Sequence, residues 1–409
     1  RHIYGEDHVV YARNITDVDD NIIKAANEQG VPISEITEKY ARIYNEDLAA
    51  LGCLPPTHQP KATENIGGMI AIIETLLADG YAYESDGHVF FDVSKYDEYG
   101  KLSGNTLDAL KKGDRVGEGE VARKKNAADF VLWKPEEGGV GWDAPFGRGR
   151  PGWHIECSAM AKAMLGETID IHCGGIDLKF PHHENEIAQS NCAHGKPMAK
   201  YWVHNEFLNM GKDKMSKSLG NVKLVHDLLK DWDGEVIRLA LLKAHYRSEL
   251  VWTDKLLEES KAQLDGWYRL VDEYGKQFVT ILEGRFFKKS RYIERTLRPI
   301  LDDMNILSVL RDVAILEQGV PKGLGTKIKN DGFSTEMKNI GEWENLGGIN
   351  WVLNLLGLLQ KDPEEWFRGK GKEGGLTDAQ IDELIKERAD VRAAKNWARA
   401  DEIRDIFKA

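Results

Sequence analysis

The sequence predicts an α/β fold, in which helices wrap a parallel sheet, followed by a helical C-terminal region. Strand-like and helix-like segments alternate between about residues 150 and 205, and strand signals fade beyond about residue 225. This alternation favours a parallel sheet, because parallel neighbours need a long crossover connection that is usually a helix. A chain of 409 residues has room for roughly two to four domains around large buried cores.

The composition is that of an ordinary globular protein and argues against a membrane-spanning, a disulfide-rich or a nucleic-acid-coating protein. Hydrophobic residues make up 42% and charged residues 30%, and no apolar run approaches the roughly 18 residues that span a bilayer. Four cysteines are too sparse for a disulfide framework, which favours a reducing cytoplasm. The net charge of −12 argues against a general nucleic-acid coat, because phosphate binding depends on Lys and Arg, but it leaves room for a local basic strip. We therefore expect a cytoplasmic protein without a membrane partner.

The first part of the chain carries signals for a strand, a helix and a linker. Residues 8–12 are apolar and precede a polar turn, which predicts a buried parallel strand. Apolar residues at helical spacing predict a helix to about residue 51, with Ser34 as its N-cap and Gly52 as its terminator. The proline-rich stretch at 54–60 predicts a linker.

The other elements follow from helical spacing, apolar runs and turn residues. Asp86-Gly87 between two strand-like runs is a strong signal for a two-residue hairpin, and residues 94–149 are rich in loop-forming residues. The predicted elements are a helix at 62–78, hairpin strands at 81–84 and 88–93, a helix at 155–165, a strand at 168–172, a helix at 183–193, a strand at 201–204, and, after a Gly/Lys linker at 369–375, two helices within 381–409.

A loop at 214–218 reads Lys-Met-Ser-Lys-Ser and carries the sharpest chemical signal. The ammonium groups of Lys214 and Lys217 can neutralise a polyphosphate, while hydroxyl and backbone N–H groups orient its oxygens. We interpret these two lysines as catalytic. The alternative is a solvated basic loop, which is what runs of charged residues usually form.

A second constellation combines Cys157 with the segment 181–186, Pro-His-His-Glu-Asn-Glu. Thiolate, imidazole and carboxylate are all common zinc ligands. His182 and Glu186 are four residues apart and would share one face of a helix, but His183 at three residues is almost as suitable, so spacing alone does not choose the histidine. The alternative is a capped helix with solvated acids and a buried structural cysteine.

These residues and their neighbours resemble the cysteinyl-tRNA synthetase family of class I aminoacyl-tRNA synthetases, whose signature loop is Lys-Met-Ser-Lys-Ser. The likeness runs from residue 1 to about 260, weakens through the helical middle and recovers after about 380. The matching segments are residues 14–20, 152–157, 174–186 and 214–218. The resemblance implies zinc ligation by Cys157, His182 and Glu186, a cysteine pocket lined by Thr16, Trp153 and Asp177, and binding of ATP with Mg²⁺ by Lys214, Met215, Ser216, Lys217 and Ser218.

The resemblance also implies a domain organisation, with a Rossmann-type class I catalytic domain that is incomplete at its N-terminus. The expected units are a first catalytic part at 1–59, an inserted connective domain at 60–148, a second catalytic part with the zinc site and signature loop at 149–225, a stem-contact region at 226–260, an α-helical bundle at 261–368 and a small anticodon-binding domain at 376–409.

The implied activity is ATP-dependent activation of L-cysteine to cysteinyl-adenylate, followed by transfer to tRNA(Cys). Zinc is physically sensible here, because serine differs from cysteine by one atom and ordinary pockets discriminate near-isosteres poorly. Zinc favours a soft thiolate and lowers the pKa of a thiol, whereas a serine hydroxyl stays protonated and ligates weakly. The resemblance therefore predicts selection of cysteine by a zinc–thiolate bond, without an editing domain.

The C-terminal residues Arg392, Trp397 and Asp401 match the positions with which the family reads the GCA anticodon. RNA-binding proteins hold unstacked bases on aromatic or Arg faces and by hydrogen bonds to base edges. The alternative is a Trp packed between two helices with solvated charges around it. Residues 245–248, His-Tyr-Arg-Ser, are a weaker candidate for contact with the tRNA acceptor stem, and exposed structural residues explain them equally well.

Two departures from the family pattern need an explanation. The family's fourth zinc-ligating cysteine and its His-Ile-Gly-His-type ATP motif belong to a first strand–helix unit, and neither occurs in these 409 residues. Residues 1–5 are typical of a helix end entering a strand, so we expect that an upstream unit is missing and that this polypeptide alone is nearly inactive. Cys53, near a linker, is a poor substitute. The family's Thr-Pro is missing after Asn305, which indicates an omitted stretch.

Two rival functions share part of this pattern. A cysteine ligase of mycothiol biosynthesis shares the zinc site and signature loop but lacks an anticodon-reading end, so the C-terminal cluster argues against it. A non-catalytic tRNA-binding paralogue would explain the missing first motif, but the candidate metal ligands and lysine-loop residues are intact, which argues against loss of catalytic function. We expect a monomeric cysteine–tRNA ligase.

Overall fold

The computed structural model describes residues 1, 4–105, 123–136, 139–211, 213–214, 222–274, 298–318, 340–368 and 378–407. The helices of this part of the chain are α1 (Asp20–Gln29), α2 (Ile33–Ala50), α3 (Ile66–Ala78), α4 (Trp153–Leu165), α5 (Glu184–His194), α6 (Val225–Leu228), α7 (Gly234–Leu242), α8 (Asp254–Tyr274), α9 (Ile306–Gln318), α10 (Ile340–Leu355), α11 (Pro363–Arg368), α12 (Asp378–Ala393) and α13 (Trp397–Ile406). The strands are β1 (Ala82–Ser85), β2 (His88–Phe91), β3 (Phe130–Pro135), β4 (Gly149–Pro151), β5 (Ile169–Gly175), β6 (Ala199–Asn205), β7 (Leu208–Met210), β8 (Asp213–Lys214) and β9 (Leu250–Trp252).

The strands form three sheets. β1–β4 make an antiparallel sheet in chain order, β5 and β6 pair in parallel, and β7 pairs with β8 antiparallel and with β9 in parallel. Helix α5 is the crossover between β5 and β6, so the predicted alternation of strand and helix between 150 and 205 is confirmed. Among the described residues, no helix is both long enough and apolar enough to cross a membrane.

The hairpin of β1 and β2 confirms the turn prediction. Ser85 pairs with His88, and the two residues between them, Asp86 and Gly87, have φ angles of 50° and 73°. Positive φ at both central positions is the type I′ geometry that an Asp-Gly pair favours. Local turn chemistry was therefore sufficient to place this element.

The prediction of a loop-rich stretch from 94 to 149 is wrong at β3. This strand is buried from Phe130 to Trp133. Leu132 and Trp133 pack into the core with α3 and α4, whereas Val131 packs on the other face with Tyr83 and Phe90. A strand covered on both faces has no polar–apolar alternation, so the expected strand signal is absent.

The prediction of a buried strand at 8–12 is also wrong. A 3₁₀ turn occupies Glu6–His8, and Val10 and Tyr11 are 51% and 43% exposed. Within the described residues, Ala12 of this segment forms an isolated parallel bridge with His58, and neither residue belongs to one of the three sheets. An apolar run becomes a buried strand only where neighbours cover it, and the run itself does not supply them.

Helix α2 confirms the predicted helix but not its predicted cap. Pro32 rather than Ser34 occupies the N-cap position, and Ser34 lies inside the first turn. Gly52 ends the helix as predicted: its φ is 69°, and its N–H donates to the carbonyl of Ala49 at 2.9 Å.

Two large hydrophobic cores and the small cluster of Tyr83, Phe90 and Val131 organise the described residues. The first contains buried residues of α3, β2, β3 and α4, and carries the candidate site at its edge. The second lies among α7–α11, where Trp267 and Tyr268 are almost fully buried. Cys53 packs against the second core. The Gly/Lys linker predicted at 369–375 lies outside the described residues.

Candidate metal centre and adjoining surfaces

The candidate centre lies where α4, α5 and the carboxyl end of β5 meet. β5 ends at Gly175, and a short turn followed by the π-helical segment Lys179–His183 leads into α5. Ligands of open α/β sheets bind at this edge, beyond the carboxyl ends of parallel strands. The amide of Gln189 in α5 donates to the carbonyl of His154 and the hydroxyl of Ser158, both at 2.9 Å. These bonds fix the register of α4 against α5.

Cys157, His182 and Glu186 come together at this edge. His182 Nε2 lies 3.5 Å from the Cys157 sulfur and 2.9 Å from Glu186 Oε1, and one donor atom of each residue lies within 4.8 Å of the others. Of the two histidines, His182 rather than His183 joins Cys157 in this group, and the predicted ligation by His182 stays a prediction. Sulfur, nitrogen and oxygen donors at this spacing form a set that suits zinc.

The Glu186 carboxylate is the centre of this arrangement. It is fully buried, and the Nε2 atoms of His172 and His182 lie 3.1 and 2.9 Å from its two oxygens. Neither contact has the alignment of a hydrogen bond. Burial opposes ionisation, but the neighbouring His172, and then His182, outweigh it and hold the pKa of Glu186 below its ordinary value. A buried carboxylate beside these two histidine nitrogens is suited to bind a cation.

The Cys157 thiol complements this carboxylate. Burial, followed by the negative charges of Glu186 and Glu156, raises the pKa of Cys157 well above its ordinary value. A thiolate at this position therefore needs a cation beside it, and a coordinated metal ion supplies one. The Asn14 amide also contacts the sulfur, at 3.7 Å.

Further histidines surround the predicted ligands, and the sequence analysis did not identify them. His154 Nδ1 lies 2.8 Å from His182 Nδ1, and His183 Nδ1 lies 2.8 Å from His204 Nε2. His172, His183 and Glu186 form a second group of three donors that shares the same carboxylate. A signal was available: six of the twelve histidines fall between 154 and 204, and two of them lie on the adjacent parallel strands β5 and β6.

The three residues predicted to line the cysteine pocket lie on different elements around the centre. The Trp153 ring packs on the His182 ring with 4.2 Å between centroids, yet Trp153 is 51% exposed. Thr16 forms a side-chain hydrogen bond with Glu156, the neighbour of Cys157. Asp177 lies in the 3₁₀ turn between β5 and His182. Trp153 thus covers one side of the donor set while presenting a face to solvent.

Glu156 is a second buried carboxyl near the centre. Burial, and then the negative charges of Asp17 and Asp19, raise the pKa of Glu156 to about 8, although the hydrogen bond from Thr16 acts in the opposite direction. One of its oxygens has no hydrogen-bond partner in the structure. This carboxyl is therefore neutral in the folded protein below about pH 8.

The lysine loop is only partly described. Lys214 ends β8, and its backbone pairs with Asn209 of β7. Met215, Ser216, Lys217 and Ser218 lie outside the described residues, and the predicted role of the loop remains a prediction. The β8–β7–β9 sheet follows β6 directly in the chain, so Lys214 belongs to the same α/β region as the candidate metal centre.

The C-terminal helices α12 and α13 present all three predicted anticodon residues to solvent. Trp397 begins α13 and is 58% exposed, and Arg392 and Asp401 are exposed as well. The alternative of a Trp packed between the helices is therefore wrong. Ala400 and Ile403 are the buried residues of α13 and fill that interface instead.

Residues 245–247 converge on one residue, Asp303. Arg247 donates from Nε and Nη2 to the two oxygens of Asp303, at 2.8 and 3.0 Å, and the Tyr246 hydroxyl donates to the same group. His245 Nε2 lies 3.1 Å from the Asp303 carbonyl oxygen. These contacts give the segment a structural role in joining the β9 region to the start of α9.

This chain is similar to known proteins over most of its length. Residues 3–262 match the family described as tRNA synthetases class I (C) catalytic domain. The cysteine–tRNA ligase of Maricaulis maris is 49% identical over 100% of this chain and 84% of its own length. That of Parvibaculum lavamentivorans is 50% identical over 97% of this chain and 81% of its own length.

A solved structure supports the fold alone. Mycobacterium tuberculosis methionyl-tRNA synthetase in complex with methionyl-adenylate superposes with a TM-score of 0.55 at 13% identity, over 88% of this chain and 85% of that chain. The α/β architecture with its following helices is therefore that of a class I synthetase, as the sequence predicted.

Proposed function

The chain belongs to the cysteine–tRNA ligase family, and from that premise we propose how its residues divide the work of this ligase. Relatives close to 50% identical over nearly the whole chain support ATP-dependent joining of cysteine to tRNA(Cys). A ligase of mycothiol biosynthesis and a non-catalytic paralogue are not favoured by these relatives. The observation that carries the division of roles is the convergence of Cys157, His182 and Glu186.

Cys157, His182 and Glu186 would hold a zinc ion. The fit rests on the donor set itself and on the buried Glu186 carboxylate, whose oxygens lack aligned hydrogen bonds. A bound zinc ion supplies a centre that prefers a thiolate to a hydroxyl, and so distinguishes cysteine from serine. The protein's part is to keep three donors in place in an interior that competing water reaches poorly.

The pocket residues would hold the rest of the amino acid. The exposed face of Trp153 lies over His182 and can cover the substrate side chain. The carboxylate of Asp177, at the end of β5, suits the α-ammonium group of cysteine. Thr16 keeps the neighbouring Glu156 carboxyl in place. These roles orient the substrate carboxylate toward ATP.

Lys214 and Lys217, with Met215, Ser216 and Ser218, would bind the phosphates of ATP together with Mg²⁺. The cysteine carboxylate attacks the α-phosphorus, pyrophosphate leaves, and cysteinyl-adenylate results. The lysine ammonium groups would stabilise the charge that develops on the phosphate oxygens. The terminal adenosine hydroxyl of tRNA(Cys) then attacks the cysteinyl carbonyl, and AMP leaves.

Arg392, Trp397 and Asp401 would read the anticodon. Their joint exposure on α12 and α13 suits a surface that receives unstacked bases. We retain the proposed domain division, which the antiparallel sheet of residues 82–151 supports for the inserted connective domain at about 60–148. Sparse cysteines support a cytoplasmic location, and we propose a monomer.

The metal assignment is tested by zinc content. We expect one zinc per chain in the purified full-length protein, and loss of that zinc in Cys157→Ala because a soft donor is removed. Cys53→Ala is the matched control, since Cys53 packs against the other core, and it should retain the metal. A wild-type protein free of zinc after preparation in zinc-containing buffer would contradict the proposal.

A further inference from the structure

The two nitrogens of His182 face different partners. Nε2 is directed at the candidate metal donors, with the Cys157 sulfur at 3.5 Å and Glu186 Oε1 at 2.9 Å. Nδ1 faces the opposite way and lies 2.8 Å from Nδ1 of His154. The ring of His182 thus connects the donor set to a second histidine behind it.

The chemistry of the imidazole decides which of these nitrogens donates. A neutral ring has one N–H, and a ring that binds a metal through the Nε2 lone pair carries its hydrogen on Nδ1. The Nδ1–H of His182 therefore donates to His154. His154 must offer an unprotonated Nδ1 as acceptor, and its own hydrogen lies on Nε2.

His154 is itself held in place from three directions. It lies in the first turn of α4, and its carbonyl accepts a hydrogen bond from the buried Gln189 of α5 at 2.9 Å. Phe130 of β3 meets its ring edge-on, with 5.8 Å between centroids. Its ring also packs on that of His182, at 4.8 Å. The scaffold therefore sets the acceptor before a metal binds.

We propose that His154 is a positioning residue of the metal centre, which fixes the tautomer and ring orientation of His182 through the Nδ1–Nδ1 hydrogen bond. This inference rests on the proposed ligation of zinc by His182. Metal-binding histidines commonly depend on such a partner for the outer nitrogen, usually a carboxylate, a carbonyl or water. Here a second histidine takes that place.

The test compares three substitutions in the full-length protein. His154→Asn places an oxygen acceptor near the position of Nδ1, His154→Gln moves the acceptor one methylene further out, and His154→Leu removes it. Zinc affinity is measured by competition with a chelator at fixed pH. We expect the Leu and Gln variants to bind zinc roughly 10–100-fold more weakly, and the Asn variant to stay closer to the wild type than to either.

Cobalt(II) substitution provides a second measurement. The absorption bands of the bound cobalt report its ligand geometry, so they should shift in the Gln and Leu variants and be preserved in the Asn variant. Thermal unfolding of the metal-free proteins checks folding, and if His154→Leu does not fold, the Asn and Gln pair carries the comparison alone.

The possible failures are distinguishable. If the wild type binds no zinc, the proposed function fails at this site. If the wild type binds zinc and all three variants match it, or all three weaken equally, the positioning role of His154 is wrong while the zinc site stands.

Discussion

The candidate metal centre and the C-terminal helix pair, which we propose as two recognition surfaces, have opposite character. At the centre, Glu186 is fully buried, His182 is nearly so, and Cys157 and His172 are partly buried. On the helix pair, Trp397 is 58% exposed and its neighbours Arg392 and Asp401 face solvent. In the proposed function, the first surface recognises one sulfur atom and the second recognises a base of a large RNA.

This difference has a physical reason. A metal ion distinguishes thiolate from hydroxyl only where several donors are preset and water is largely excluded, so the centre is built from buried groups with shifted pKa values. A base can approach a large aromatic face only if that face is open beforehand. Changes in the buried region should therefore affect stability and metal binding, and changes on the helix pair should affect RNA binding with little effect on stability.

The buried region should show a pH-dependent stability that depends on Glu156. The pKa of this carboxyl rises to about 8 on folding, from an ordinary value of 4.5. Between these values the folded protein holds a proton that the unfolded chain has lost, so the free energy of unfolding falls as pH rises. The full contribution is present below about pH 4.5, and the expected slope is on the order of 1.4 kcal/mol per pH unit.

The measurement is urea unfolding at several pH values between 5 and 8. Glu156→Gln should remove most of this slope, because its amide does not titrate. Glu387→Gln on the helix pair, which changes an exposed carboxylate paired with Arg399, should leave the slope as in the wild type. Equal slopes in the wild type and Glu156→Gln would show that folding does not raise the pKa of the Glu156 carboxyl.

The same contrast explains what the sequence could predict. Helix α2, the β1–β2 hairpin and the β5–α5–β6 unit follow from local spacing and turn residues, and they were predicted. Strand β3 was missed because helices and strands cover both of its faces. Residues 8–12 were predicted as buried although no apolar run specifies its own neighbours. In each case, the error lies in tertiary contacts rather than in local propensity.

At the candidate metal centre, too, the sequence did not predict which side chains meet in the folded chain. Spacing and family resemblance pointed to Cys157 and Glu186, but spacing alone left His182 and His183 equivalent. The folded chain separates them, since the Nε2 atom of His182 faces Cys157 and the Nδ1 atom of His183 faces His204. His154 and His172 were not predicted, because their roles depend on α4 and β5 meeting α5. The residues that contact a metal-binding side chain from behind are determined by tertiary packing, which a single sequence does not show.

Trp397→Ala probes the exposed side of the comparison. Loss of a stacking face for an unpaired base should weaken binding of tRNA(Cys) by about 1–3 kcal/mol, or roughly 5- to 150-fold. The melting temperature and the zinc content should stay close to those of the wild type, because the side chain is largely solvent-exposed. Filter binding or anisotropy with labelled tRNA at one stated salt concentration measures the effect.

Phe407→Ala is the matched control for this change. Phe407 is another exposed aromatic residue, at the opposite end of α13 from Trp397 and ten positions further along the chain. It should leave tRNA affinity within about twofold, as expected for an exposed position outside the contact. A large loss of folding stability in Trp397→Ala would instead mean that the Trp serves the packing of α12 and α13.

The smallest expected effect is a difference in tRNA affinity between variants of Asp401 and Asp405, two carboxylates that both contact Arg404. Arg404 contacts Asp401 at 2.8 Å and Asp405 at 3.2 Å, and all three side chains are largely exposed. Neither ion pair should contribute more than about 1 kcal/mol to stability.

Removing a negative charge near RNA favours phosphate binding at either position, so a purely electrostatic surface predicts slightly tighter tRNA binding for Asp401→Asn and Asp405→Asn alike. If Asp401 accepts a hydrogen bond from a base, Asp401→Asn should instead weaken binding by about 1 kcal/mol, roughly fivefold, while Asp405→Asn does not. Opposite signs for the two variants, measured side by side at constant salt, would identify Asp401 as a reader of the base rather than part of the surrounding charge, whereas equal responses would remove it from the recognition surface.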